Sequence, residues 1–227
     1  MRLHLIILLT GFCTSIHAQI NYAGHYGDKE SRKDLQTRTP ERKIATDETG
    51  YESDLIIVNL KGNQYKFFLF ISKGYPAYHT GELEGTINIV KDTAAFYETD
   101  TVIGTACRLV FRFSKTKVSI EQRLEDNCGF GANVHADGDY TKRKSRPAMS
   151  DIIDVLHYSD IKARPITEDK AVIYDEPDVK KVSKKYFVKG DKVYFSMIDI
   201  ESDFIFVRYM STTGRYTEGW IKTSTIN

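Results

Sequence analysis

Short apolar runs separated by tight turns fill the middle of this 227-residue chain and indicate its fold class. Residues 55–60 and 64–71 flank a Lys-Gly-Asn turn, which is typical of a β-hairpin. Two further pairs of runs follow the same pattern: 79–90 with 94–99, and 107–113 with 118–124. No segment with the period of a helix interrupts them. The sequence therefore predicts an antiparallel meander that closes into a barrel or half-barrel and so removes its exposed edges.

Alternation within the runs supports strands that are buried on one side. Leu109, Phe111 and Phe113 fall on one face of the third pair, opposite two arginines and a valine. Gly81 and Gly85 lie inside the run 79–90, where glycine often marks a bend or a bulge. We expect both glycines to let that strand curl round a small barrel.

The first eighteen residues have the layout of a secretory signal peptide. Arg2 precedes an apolar run that is too short to span a bilayer, and the small residue Ala18 precedes the expected cut. A lipoprotein anchor on Cys13 is the alternative, although Phe12 stands where such anchors have a small residue. We predict an exported protein, periplasmic or secreted, without a transmembrane segment.

Charge and cysteine usage fit that compartment. The 32 basic and 31 acidic residues balance once Arg2 is removed with the leader, which argues against a nucleic-acid partner. Cleavage leaves Cys107 and Cys128, and two cysteines in an exported chain are expected to pair. Such a bridge contributes about 3 kcal/mol and would staple the segment 127–140 back against the barrel.

Composition shifts suggest the domain boundaries. Residues 27–40 are polar and predict a long mobile loop, while the basic stretch 142–147 marks the end of the first domain. Residues 150–158 fit either a helical turn or a short strand. We predict a signal peptide and three further parts: 1–18, then a barrel-like domain at 19–146, a linker at 147–164 and a second domain at 165–227.

Catalytic motifs are weak throughout. His135, Asp137 and Asp139 alternate as metal ligands in a strand would, yet Asp-Gly is also a common turn dipeptide. Glu82 and Glu84 share a face of a predicted strand, where solvated carboxylates are ordinary. We therefore predict no catalytic residues, no cofactor and no enzyme activity.

The last sixty residues contain four short β elements. They are the strand 171–174, the Lys-Gly-Asp turn that enters the second strand at 189–193, and the later strands 206–209 and 219–222, the last including the Gly-Trp-Ile sequence. Tyrosine and tryptophan on a barrel rim can stack on sugars or peptides while their polar atoms stay wet. The residues singled out as ligand-binding candidates are Tyr174, Tyr209, Tyr216 and Trp220.

These elements resemble a bacterial SH3-like (SH3b) domain, a module common in exported, wall-associated proteins. The resemblance implies a small barrel that binds, with Tyr174, Tyr209 and Trp220 bordering its groove. The alternative is that Trp220 packs inside the barrel.

The sequence thus predicts an all-β protein, with an N-terminal antiparallel meander or barrel carrying one disulfide, then a small SH3-like barrel. The function predicted first is a non-catalytic exported binding protein that engages cell-wall peptide or an envelope protein. An inhibitor or immunity protein against a wall-degrading enzyme or toxin is the second prediction. A metal-dependent hydrolase using His135, Asp137 and Asp139 is the third.

Overall fold

A computed structural model describes residues 21–226 apart from 31, 42, 44, 46–47, 101–104, 124, 126 and 158–159. The predicted signal peptide at 1–18 lies outside this range. The strands are β1 Gly24–Lys29, β2 Glu52–Lys61, β3 Gln64–Ser72, β4 Thr80–Asn88, β5 Thr93–Asp100, β6 Thr105–Phe113, β7 Lys117–Gln122, β8 Gly138–Lys144, β9 Lys162–Pro165, β10 Lys170–Tyr174, β11 Val182–Val188, β12 Lys192–Phe195, β13 Ile200–Glu201, β14 Phe204–Met210 and β15 Tyr216–Lys222. The helices are α1 Arg32–Arg38 and α2 Met149–Val155.

Strands β1 to β8 form one antiparallel sheet that is nearly a closed barrel. Its order is β4-β3-β2-β1-β8-β7-β6-β5, so β1 joins the two halves by pairing with both β2 and β8. Leu109, Phe111 and Phe113 point into its aromatic core. The predicted all-β fold with an N-terminal meander barrel is confirmed.

The barrel has one seam, between β4 and β5. The hairpin predicted between 79–90 and 94–99 is wrong, because these strands share only the bridge of Val90 with Thr93 and no ladder. The residues around the turn bond to neighbours on either side instead: Ile89 N–H donates to Asn63 O, and Phe113 N–H donates to Asp92 O. Beyond the turn, β4 therefore pairs with β3 and β5 pairs with β6.

Aromatic rings occupy the space at Gly81 and Gly85. Both glycines sit in an unbroken β3–β4 register, so this ladder contains no bulge at either position. A Cβ atom on Gly85 would lie 2.4 Å from the Phe96 ring, and one on Gly81 would lie 2.5 Å from the Phe130 ring. Glycine is therefore needed at both positions for close packing against aromatic rings.

The disulfide Cys107–Cys128 is present, and it fastens a segment across the open end of the seam. This crossing segment, residues 127–131, is tied to β6 by the bridge and by the bond from Asn127 N–H to Ala106 O. On the other side Gly131 N–H donates to Thr80 O in β4. The predicted staple is thus confirmed, and it joins the two strands that border the seam.

The polar stretch 27–40 is not the mobile loop that its composition predicts. Strand β1 continues to Lys29, and α1 follows with Leu35 fully buried. Arg38 pairs with Glu30 at 3.1 Å, and this hydrogen bond lowers the pKa of the Glu30 carboxyl. One buried leucine and one ion pair are sufficient to order a segment that is otherwise polar.

The remaining strands form a second sheet in the order β11-β10-β15-β14-β12-β9, with β13 beside β14. One side of it packs on a core that includes Ile173, Val193, Val207 and Ile221. The sheet begins at Lys162, inside the segment predicted as a linker. Assignment of this unit to the SH3-like family stays a prediction.

Residues 149–155 form a helix, α2, rather than the short strand that was the other possibility for this segment. Helix α2 packs between the two sheets. Ile152 and Tyr216 lie in one cluster with Ile56 and Phe68 of the barrel. Helix formation is favoured by the Asp151 carboxylate, which accepts the Ala148 N–H at 2.6 Å as a helix cap. An apolar layer therefore joins the two units.

Candidate binding face

The pairing register of the second sheet places aromatic side chains on the side away from its core. Trp220 is opposite Tyr174 on one neighbouring strand and opposite Phe206 on the other. Directly paired residues share a face of a sheet, so the three side chains form one row. Phe204, two residues before Phe206, belongs to the same side. We call Tyr174, Phe204, Phe206 and Trp220 the aromatic face.

Ring contacts hold this face together. The Phe206 and Trp220 rings meet edge to face with centroids 5.5 Å apart, and Tyr174 meets Phe204 in the same way at 5.1 Å. Phe204 is buried, whereas the other three rings are half-buried. The alternative in which Trp220 packs inside the barrel is wrong, since its neighbour Ile221 fills that core instead.

The four predicted ligand-binding residues do not come together. Tyr174 and Trp220 share the aromatic face, but Tyr216 is buried between the two sheets against Phe68. Tyr209 lies on the opposite side of β14, where it packs on Phe187.

Both separated tyrosines have other surroundings. Burial raises the pKa of Tyr216 well above its usual value, and its hydroxyl donates to Glu218. Tyr209 borders a cavity of about 500 Å³ between the sheets, together with Tyr194 and Arg146. Neither side chain can act with Trp220 on one ligand surface.

Sequence reasoning missed Phe204 and Phe206 as members of the face. Their signal was the alternation with Ile205 and Val207, which assigns the phenylalanines to one side and the aliphatic residues to the other. Which side is buried depends on the neighbouring strands. In β15 the adjacent residues Trp220 and Ile221 lie on opposite faces, and the neighbouring strands likewise decide which of the two is buried.

The second sheet and its connecting segments carry most of the exposed large apolar side chains in the described part of the chain. Seven of the ten large ones fall between residues 179 and 200. Three of them, Val182, Tyr186 and Val188, lie on the edge strand β11, and Val182 extends the aromatic row because it pairs with Tyr174. Concentrated exposed apolar surface is typical of an interaction site.

The predicted metal candidates lie at one end of the barrel, beside a cavity of about 340 Å³. Gly138, at φ +148°, interrupts the extended alternation that would align His135, Asp137 and Asp139. Asp139 is bound by Lys117 at 2.8 Å and by Ser119 at 2.5 Å. The hydrogen bond from Lys117, and to a smaller extent that from Ser119, lowers the pKa of Asp139. Over the residues described, no three His, Cys, Asp or Glu side chains are grouped as a metal site would require.

A second polar cluster lies between β1, β2 and β8. Asp54 accepts from His25 Nε2 at 2.7 Å and from Arg143 at 2.6 Å. The adjoining cavity of about 280 Å³ is lined by carboxylates, histidines and Arg143, with no serine, threonine or cysteine among its lining residues. The cluster cross-links three strands through the ion pairs that Asp54 forms with His25 and Arg143.

Comparisons with known proteins leave the aromatic face to be interpreted from its own chemistry. No family model, curated protein or solved structure matches this chain. Within the described ranges, none of the helices has the length and apolar character needed to cross a bilayer.

Proposed function

We propose that this chain is a non-catalytic exported binding protein that engages cell-wall peptide or a protein partner at the cell envelope. The observation that carries the proposal is the half-buried row Tyr174–Trp220–Phe206 on the outer side of the second sheet. The resemblance of the last sixty residues to SH3-like domains points to the same kind of surface.

The construction of the face suits binding. Tyrosine and tryptophan bring large contact areas with few rotatable bonds, so a ligand orders them at low entropic cost. The rings are attached to strands whose other side is a packed core containing Ile173 and Ile221, which holds them in place before a ligand arrives. Preorganisation of this kind raises affinity by lowering the ordering cost of binding.

The proposal is tested with Trp220→Ala in the mature chain, using Tyr97→Ala as the matched control. Tyr97 is an exposed ring on β5 of the barrel, which belongs to a different sheet from the aromatic face. Retention on purified peptidoglycan, and crosslinking in living cells followed by identification of the attached protein, measure the two versions of the ligand. We expect Trp220→Ala to lose the captured material and Tyr97→Ala to keep it.

Trp220 is the single tryptophan of the chain, so its fluorescence reports directly on the face. Emission should shift when the ligand is added to the unmodified protein. Equal retention by both variants, with no emission change, would place binding elsewhere and refute the proposal.

A further inference from the structure

We infer that the aromatic face receives an acidic segment of a partner protein; this rests on the proposed function and names its ligand class. The inference comes from the lysines that stand among the exposed apolar side chains. It commits to a protein partner rather than to a membrane or a sugar chain.

Lysine side chains are interleaved with the aromatic rings. Lys222 is directly paired with Phe204, on the same side of the sheet. At the edge, the Lys170 ammonium lies 4.6 Å from the centre of the Tyr186 ring. Lys184 is exposed on β11 between Val182 and Tyr186. An approaching segment therefore meets apolar and cationic groups together.

These lysines have no carboxylate partner among the described residues. Two nearby glutamates are paired, and Glu201, opposite Phe204, is an exposed carboxylate on this side without an ion pair in the described part of the chain. Glu218, on the same face as Trp220, is held by Lys66 at 2.7 Å. Glu176, in the turn before β11, pairs with Lys181 at 3.4 Å. Because the face keeps its positive charges available, an acidic partner gains attraction that a neutral or basic one lacks.

Strand addition at β11 is not the mode of recognition that this edge favours. The ladder with β10 shifts register between Val172 and Tyr174, so the edge is irregular. Two backbone donors are already taken: Val188 N–H donates to Asp191 and Lys185 N–H donates to Ser183. An irregular, lysine-rich edge resists pairing with another strand. The acidic segment is thus recognised by side chains across the face.

Short synthetic peptides test this ligand class on the full mature chain, with Trp220 emission as the readout. The first is rich in glutamate and carries separated leucines; matched peptides replace every glutamate by serine or by lysine. We expect the glutamate peptide to bind most tightly and to weaken as salt is added. Lys170→Ala and Lys222→Ala should each weaken it about two- to fivefold, as expected for rim charges.

Two further variants make the charge argument specific. Lys61→Ala removes an exposed lysine in a barrel turn and should leave the affinity unchanged. Glu201→Lys adds a positive charge on β13, next to Phe204, and should tighten binding of the glutamate peptide.

The outcomes separate this inference from the proposed function. If the serine peptide binds as well as the glutamate peptide, the face is an apolar site and the acidic class is wrong. If no peptide binds while Trp220→Ala still abolishes capture from cells or peptidoglycan, the proposed function stands and this inference falls. Binding to vesicles of anionic lipid, with no binding of the glutamate peptide, would also overturn it.

Discussion

Removal of the disulfide should cost this protein about 3 kcal/mol of stability. The perturbation is the double variant Cys107→Ala, Cys128→Ala. The bridged residues are 21 apart in sequence, and loop-closure entropy for a loop of that size gives about 3.3 kcal/mol at 25 °C. Alanine removes one buried sulfur at Cys107, which adds a smaller loss from packing.

The structure predicts a local effect in addition to the entropic one. The crossing segment, residues 127–131, reaches β4 through the bond from Gly131 N–H to Thr80 O and through Phe130 above Gly81. Without the bridge, only these contacts and the bond from Asn127 N–H to Ala106 O would hold the segment against the seam. We therefore expect the amides of Asn127 and Gly131 to exchange much faster in the variant, even under native conditions.

Urea denaturation of the mature chain measures the first effect, and amide exchange measures the second. The oxidised protein, the same protein after thiol reduction, and the double variant form the series; the reduced protein and the variant should agree. An unchanged unfolding midpoint would refute the entropic estimate. A lower midpoint with unchanged exchange at Asn127 and Gly131 would show that the bridge acts only on the unfolded chain, and that it does not fasten the seam.

Four more substitutions test the fold by denaturation. Gly85→Ala should cost about 1–3 kcal/mol of stability by overpacking against the core rings of Phe96 and Phe67. Gly81→Ala should cost less, because the Phe130 ring that it meets sits on the crossing segment and can shift. Equal losses of stability would contradict the seam packing. Phe68→Ala should cost about 3–5 kcal/mol of stability, and the two sheets should then unfold in distinct calorimetric transitions. A single transition with the stability of the unmodified protein would contradict the apolar layer. Asp151→Asn should cost about 1 kcal/mol near neutral pH, because a neutral amide accepts the Ala148 N–H more weakly than the carboxylate and loses the ion pair with Lys144. Burial opposes the charged form of Asp151, but the hydrogen bonds from Ala148 N–H and Lys144 outweigh burial and lower the pKa of Asp151. The stability that Asp151 contributes is therefore present above its unfolded pKa and is lost as pH falls through its folded pKa. A stability difference between the two proteins that persists in strong acid would refute the assignment.

The sequence was sufficient to predict the all-β class, the hairpins β2–β3 and β6–β7 and the disulfide, but not the seam or the strands β8, β9 and β11. The turn at 91–93 has the local signature of a hairpin, and Lys91 and Asp92 do adopt positive φ values of +48° and +62°. Whether two strands stay paired beyond their turn depends on which neighbours compete for them. Here Asn63 and Phe113 bond to the turn region from opposite sides, and such long-range competition leaves no local pattern.

The candidate site was predicted only in part for a related reason. Strand β14 carries apolar side chains on both faces, and in β15 Trp220 and Ile221 are adjacent, so alternation separates these two side chains without saying which one faces the core. Tyr216 shares the outer side with Trp220, yet it is covered by the barrel. Only the docking of the two sheets distinguishes the buried tyrosine from the half-exposed tryptophan.

The position of Glu218 explains why the outer side of β15 is covered by the barrel at Tyr216 but open at Trp220. It lies between Tyr216 and Trp220 on that side, and its carboxylate accepts both the Lys66 ammonium and the Tyr216 hydroxyl. An ion pair this far from water needs such additional hydrogen bonds to offset its desolvation. On the Tyr216 side of the pair the strand is covered by the barrel; on the Trp220 side it remains open. A partner on the aromatic face therefore sits directly beside the junction of the two sheets, and loss of that junction should weaken binding even though Phe68 itself touches no ligand.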